Sequence, residues 1–353
     1  MNADTPPPIP APAMAGPQVP RRSNWPWVVG LLFLGGIGFI ALLIVGMFAS
    51  VVSAIGEGSS ATAGAPQFNQ RIIHKGGADR IAHIDLEGVI SASASPGEPS
   101  MVDNFSRMVE AAVNDDSVKA IVIRINSPGG EVTASDRLHH IIQKADKRKP
   151  VIAYLDTIAA SGGYYAACAC RQIIAHPTTF TGSIGVIMQS VKYGDMIEKI
   201  GVSMEVYKSG ELKDLLSGTR ETSAKEKELV DELIQETYTR FLGVVAEGRG
   251  KSMEELRASE LTDGRIFSGL QALDADMVDQ NGFIEDGYKE AMRLSGISNA
   301  TIVRYSPKVG FFDALSMMGS APQKSTRLEI DVSDRLLPRM QSGVPLYLHL
   351  DGF

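Results

Sequence analysis

Cysteine is nearly absent from this chain: only Cys168 and Cys170 occur in 353 residues. Two positions apart on a helix, they point to different faces and cannot bridge each other, so neither a disulfide scaffold nor a four-ligand metal site is available. Histidine is also scarce, with six residues, which limits the candidate proton acceptors. An excess of positive charge is missing as well. The formal net charge is -7, and lysines and arginines are dispersed among acids, which excludes a dominant basic patch and with it nucleic acid as a partner. No second copy of the serine stretch "IAASGGYYAACAC" exists, so the chain is not a tandem duplication.

The charge-free stretch is the first positive feature. Between Arg22 and Glu57 no charged residue appears, and the apolar run exceeds the roughly 20 residues that span a bilayer. Residues 25–56 are expected to form a membrane helix. A cleaved secretory signal, for which "VSA" before Ile55 would serve, has an apolar core of only about 7 to 15 residues. Trp25 and Trp27 suit the interface, and the Arg21–Arg22 pair on the amino side places the N-terminus in the cytoplasm and the body outside it, on the periplasmic side of an inner membrane. Residues 1–24 are proline-rich and expected to be a disordered tail. Residues 57–79 read as a small, polar linker.

Hydrophobic residues make up 44% of the chain and charged residues 21%, enough for a sizeable core. Residues 80–300 are expected to hold it. "RIAHIDLEGVI" alternates as a strand does. Val102, Phe105, Met108, Val109, Ala112 and Val113 recur at helical spacing. "KAIVIRINSPGG" is an apolar run ending in a glycine turn, "EVTASDRLHHIIQKA" is amphipathic, and "KPVIAYLD" is a further strand. Strand, turn and helix in repetition predict a parallel sheet covered on both faces. "RQIIAHP" and "SMEVYKSG" read as two more strands, with "GDMIEKIG" a helix between them. Ser223 and Glu226 open a long helix in capping-box spacing, with Leu229, Val230, Leu233, Ile234, Tyr238, Phe241, Leu242 and Val245 on one face. Residues 301–353 form an extension without clear periodicity.

Two turns carry chemistry. In parallel sheets the strand ends that lead into helices point backbone amides into a crevice. "INSPGG" ends in paired glycines that leave an amide unobstructed, and "AASGGYY" puts Ser161 at a helix start. Each has an ordinary reading, a plain turn and a plain helix cap. Jointly, one helix and one strand apart, they suggest a nucleophile with an oxyanion hole. The base is left open by the residues alone. His176 with Asp156 or Asp195 would give a Ser-His-Asp arrangement, whereas Lys208 or Lys213 would serve if apolar burial kept an amine neutral.

In order, "INSPGG", "AASGGYYAA", "AHPTTFTGSIGV", "YKSGELKDLLSGTRETSAKEKELVDELI" and "GRIFSGLQALDADMVD" resemble the signal peptide peptidase A family of membrane-bound serine peptidases, in its short, single-module form, over about residues 80 to 295. The resemblance implies a fold similar to the Clp protease proteolytic subunit and the crotonases. It makes Ser161 the nucleophile, Lys213 the general base, Ser183 a supporting residue, and the amides of Gly130 and Gly162 the oxyanion hole. It also implies a homo-oligomer, in which Ser and Lys can come from adjacent subunits, acting on signal peptides or other peptides at the lipid bilayer. No metal or organic cofactor is implied. His176 stands where relatives often have asparagine, and "LLSGTR" lacks a proline common after the lysine. A crotonase-like acyl-CoA enzyme and a non-catalytic scaffold are the rival readings.

Overall fold

A computed structural model describes residues 68–94, 99–307 and 346–348. The expected tail and membrane helix lie outside these residues. Among the described residues no helix is long and apolar enough to cross a membrane.

The fold is mixed α/β around a mostly parallel sheet. Its main path runs β1 (Phe68–His74), β10 (Thr301–Pro307), β2 (Arg80–Glu87), β3 (Val118–Ser127), β5 (Val151–Ala160), β6 (Gln172–Ala175) and β9 (Gln280–Asn281). All neighbours on this path are parallel except β1 and β10. The central strands β3 and β5 are apolar on both faces, as strands covered from both sides must be: Ile121, Val122, Ile123 and Ile152 are fully buried. Each such side chain contributes about 1.5–3 kcal/mol of burial free energy. One face packs on α1 (Met101–Asn114), α2 (Val132–Asp146), α3 (Gly162–Ala167) and the C-terminal half of α5 (Ala224–Arg249). The opposite face, with Ile81, Val122 and Ile152, is covered by α8 (Ile284–Ser295).

Two features of β5 position the site. Its first half pairs with β6, Ile152 to Leu155 against Gln172 to Ala175, while Ile158 to Ala160 pair instead with β7 (Phe180–Gly182). Against β3 the register jumps from Ile125↔Leu155 to Ser127↔Ala159, so β5 carries two residues more than β3 in this interval. The sheet therefore opens beyond Leu155, and the chain reaches Ser161 at the mouth of the opening.

The capping box of α5 is formed by Ser223 and Glu226 as the spacing predicts. Its apolar face is only half used: Phe241, Leu242 and Val245 are buried, whereas Leu233 is exposed. Two expectations differ from the structure. The sheet extends past both ends of residues 80–300, taking in β1 and β10. The segment "SMEVYKSG" is not a strand. Met204, Val206 and Tyr207 are exposed, so its alternation has no neighbouring strand or core to face. This segment belongs to an arm, residues 188–222, whose one regular element is the short helix α4 (Gly194–Lys199).

Candidate active site

Ser161 lies where β5 turns into α3. It is 1% exposed, and its backbone adopts φ 53, ψ -114, a conformation that costs a non-glycine residue of order 1–3 kcal/mol and persists only when its surroundings impose it. The surroundings do so: Ser161 N donates to Gly182 O at 2.8 Å, and Ser161 O accepts from Tyr165 N at 2.8 Å, closing the first turn of α3. An ordinary cap would have its Oγ accept a backbone N–H of that helix. Here Ser161 makes no side-chain cap bond, and its buried Oγ has no hydrogen-bond partner among the described residues. A hidden hydroxyl without a partner is costly unless it is kept for another molecule. Gly162, the first residue of α3, is buried and carries one of the helix's orphan N–H groups.

The second turn is beside the first. A Cβ on Gly163 would stand 2.8 Å from the carbonyl oxygen of Ser127, so the helix start is pressed against the end of β3 and only glycine fits. Gly129, at φ +100, then reverses the chain, and its N donates to Ser127 Oγ at 3.1 Å. The strand β4 (Gly129–Glu131) is flanked by Ile90, whose N donates to Gly129 O and whose O accepts from Glu131 N, both at 2.8 Å. Because successive peptide groups in a strand alternate sides, the N–H and C=O of Gly130 itself point away from Ile90. On that free side lies β11 (Leu346–Leu348), antiparallel, with Tyr347 opposite Gly130.

The pairing of β7 with β5 brings Ser183 next to the nucleophile turn. It is buried, at φ 50, with its N donating to Arg265 O at 2.8 Å across the antiparallel contact with β8 (Ile266–Ser268). The structure thus gathers Ser161, Gly162, Gly130 and Ser183 at one end of the sheet. Lys213 is not gathered with them. It is exposed on the arm, and the partnerless Ser161 Oγ shows that the two side chains are not bonded within one chain. Lys208 is committed elsewhere, its Nζ donating to Asp214 Oδ1 at 2.7 Å and Glu211 O at 2.9 Å.

The histidine alternative is not assembled. His176 Nδ1 contacts Thr178 Oγ1 at 2.9 Å and accepts from Thr178 N at 3.2 Å, and its ring packs edge-on to Phe283. Asp156 is bound by Arg124 at 2.8 Å through Nε, and Asp195 is exposed on the arm. Nor is a thiol available: burial pushes Cys168 up to about 12. The sequence reading took Glu226 as a capping residue alone and missed Arg220, which grips Asp214 and Glu226 at once. The signal was present in "KDLLSGTRETSAKE", as charges of alternating sign at a spacing of six.

Residues 143–298 match the profile of peptidase family S49. The chain is 32% identical over 283 residues to "Putative signal peptide peptidase SppA" of Enterococcus faecium, covering 78% of this chain and 80% of the relative. It is 37% identical over 218 residues to "Putative protease slr0021" of Synechocystis, covering 62% and 75%. With "Protease 4" of Haemophilus influenzae it shares 30% identity over 239 residues, 67% of this chain but 38% of that longer relative.

Proposed function

Because the chain belongs to peptidase family S49 and is a serine peptidase, we propose that it is a membrane-anchored endopeptidase, of a fold like that of the Clp proteolytic subunit and the crotonases, that works through a Ser161–Lys213 dyad. The observation that carries the reading is the buried, partnerless Ser161 Oγ at a strained turn between two glycine turns. Ser161 Oγ attacks the peptide carbonyl while neutral Lys213 takes its proton and returns it to the leaving amine. The amides of Gly130 and Gly162 hold the oxyanion. Water then hydrolyses the acyl-enzyme by the same base.

A neighbouring subunit supplies Lys213. The base is exposed while the nucleophile is sealed in and unbonded, and the arm bearing the base displays Val191 at 71%, Met196 at 62%, Ile200 at 72% and Tyr207 at 86% exposure. Apolar surface of that extent marks an interface. Docking the arm on a second copy of the chain covers these residues and gives the amine the dry surroundings that a lysine base needs.

The edge of β4 that β11 lines suits a peptide, because an extended chain laid antiparallel on β4 takes its hydrogen bonds from the strand backbone. The contact between β11 and β4 has that form, which favours peptide substrates over an acyl-CoA. Residues 25–56 anchor the protein with the catalytic body outside the cytoplasm, and signal peptides or exposed protein tails at the bilayer are the substrate class. The test is labelling of the full chain with a serine-directed phosphonate. Modification mapped to Ser161, lost in Lys213→Ala and retained in His176→Ala, supports the dyad. Loss on His176→Ala with retention in Lys213→Ala overturns it.

A further inference from the structure

The turn that carries Lys213 belongs to neither the sheet nor a helix. It is closed by local backbone bonds, Lys213 N to Gly210 O at 3.1 Å and Ser217 N to Asp214 O at 3.0 Å, and passes through Leu216 at φ 62. Two side chains join this turn to α5, Lys225 through the exposed Glu211 and, more closely, Arg220. Arg220 donates from Nε to Asp214 Oδ2 at 2.9 Å and from Nη2 to Asp214 Oδ1 at 2.7 Å. The same guanidinium donates to Glu226 Oε2 from Nη1 at 2.8 Å and to Oε1 from Nη2 at 2.6 Å. Glu226 is buried at the start of α5 and is fixed again by Ser223 N at 2.8 Å. The path from the helix to the base is therefore Glu226, Arg220, Asp214, Lys213, the last two adjacent in the chain. Only a planar fork can hold two carboxylates in this way.

Most of the charges around the turn are matched. Glu211 of the turn pairs with Lys225 of α5 at 2.7 Å. Asp214 has both Arg220 and Lys208, and Glu226 has Arg220. Lys192, just before α4 on the same arm, donates its Nζ to the carbonyls of Ser217 and Arg220. Among the described residues Lys213 is in no ion pair, although Asp214, its chain neighbour, is held by Arg220 and Lys208. For a lysine that must act without its proton this matters, since an uncommitted carboxylate nearby favours the ammonium form.

We propose that Arg220 is a positioning residue of the peptidase, tying the Lys213 turn to the N-terminus of α5 and occupying the Asp214 carboxylate so that the amine faces no free acid. The inference rests on Lys213 being the base. Arg220 holds Asp214 well below the usual carboxylate range and Glu226 down to about 2, so at neutral pH both acids are ionised partners of the guanidinium.

The test is the pH dependence of kcat/KM of the assembled full chain on a fluorogenic peptide. Arg220→Gln should lower kcat/KM at neutral pH by about 10- to 100-fold and move the acidic limb upward by about one pH unit. Arg220→Gln with Asp214→Asn should return the limb to its original position while kcat stays low, because the charge is relieved but the tether is not restored. Arg220→Lys, which retains charge but cannot hold both carboxylates, should lose about 10-fold with a smaller shift, and it decides the matter if Arg220→Gln fails to assemble. A merely structural role predicts loss in step with assembly and an unmoved limb. An unmoved limb in Arg220→Gln, or an Arg220→Lys enzyme equal to wild type, overturns the proposal. Lys213→Ala separates the two levels: if it is active, the dyad itself is wrong; if it is inactive while the limb stays put, only the role of Arg220 is.

Discussion

The nucleophile and the proposed base are held by opposite means. Ser161 is sealed at the end of a parallel sheet, its backbone fixed by Gly182 and Tyr165, and its position follows from strand pairing that any one chain completes by folding. Lys213 stands on an exposed arm whose apolar residues face outward and whose order rests on a few charged contacts. On the proposed dyad, one half of the site is a product of folding and the other a product of association. The contrast suggests that an isolated subunit would be a correctly built but idle nucleophile, which would confine peptide cleavage to the assembled enzyme.

The comparison can be broken most directly at its two poles. Ser161→Ala and Lys213→Ala should each lower peptide hydrolysis by about four or more orders of magnitude, since members of a catalytic unit act together. If the halves come from different subunits, mixing the two inactive variants during assembly should restore measurable turnover. No recovery would place both groups in one chain. Gly130→Ala probes the folded half: its Cβ would stand 2.0 Å from Ile90 O, the strand must move, and kcat should fall by about 10²- to 10³-fold, the range seen for loss of one oxyanion donor. On the arm, Ile200→Glu should reduce activity about 10-fold at low protein concentration, with recovery as concentration rises, and should change the stability of the single chain by less than about 0.5 kcal/mol, as exposed sites do. Sedimentation and thermal unfolding would check the two parts. His176→Ala should change kcat/KM by less than about threefold, since its ring is engaged with Thr178 and Phe283.

Much of the folded half was legible in the sequence because its signals are local. Glycine pairs mark the turns, Ser223 and Glu226 mark the start of α5, and unbroken apolar runs mark β3 and β5. The parts that escaped are non-local. β10 pairs with β2 more than two hundred positions earlier in the chain, and its short alternation, Ile302, Val303 and Tyr305 buried with Arg304 exposed, means little until that neighbour is known. "SMEVYKSG" misled for the converse reason, since it has the period of a strand without a partner to pair with. The face of α5 was traced correctly, yet Leu229, Val230 and Leu233 join no core cluster among the described residues, so a helical period alone does not say what covers it. Arg220 went unnoticed because its two acids lie six residues away on either side, a spacing that matches no helix or strand repeat.

The register jump in β5 has a consequence for how this chain can change length. The strand exceeds β3 by two residues between Leu155 and Ala159, an even number, so inward and outward positions keep their parity up to the nucleophile. Losing a single residue there would turn the hydroxyl to the other side of the sheet, whereas losing two would preserve its direction while drawing it back from the rim. Insertions and deletions tolerated around Asp156 and Thr157 in working versions of this chain should therefore come in pairs.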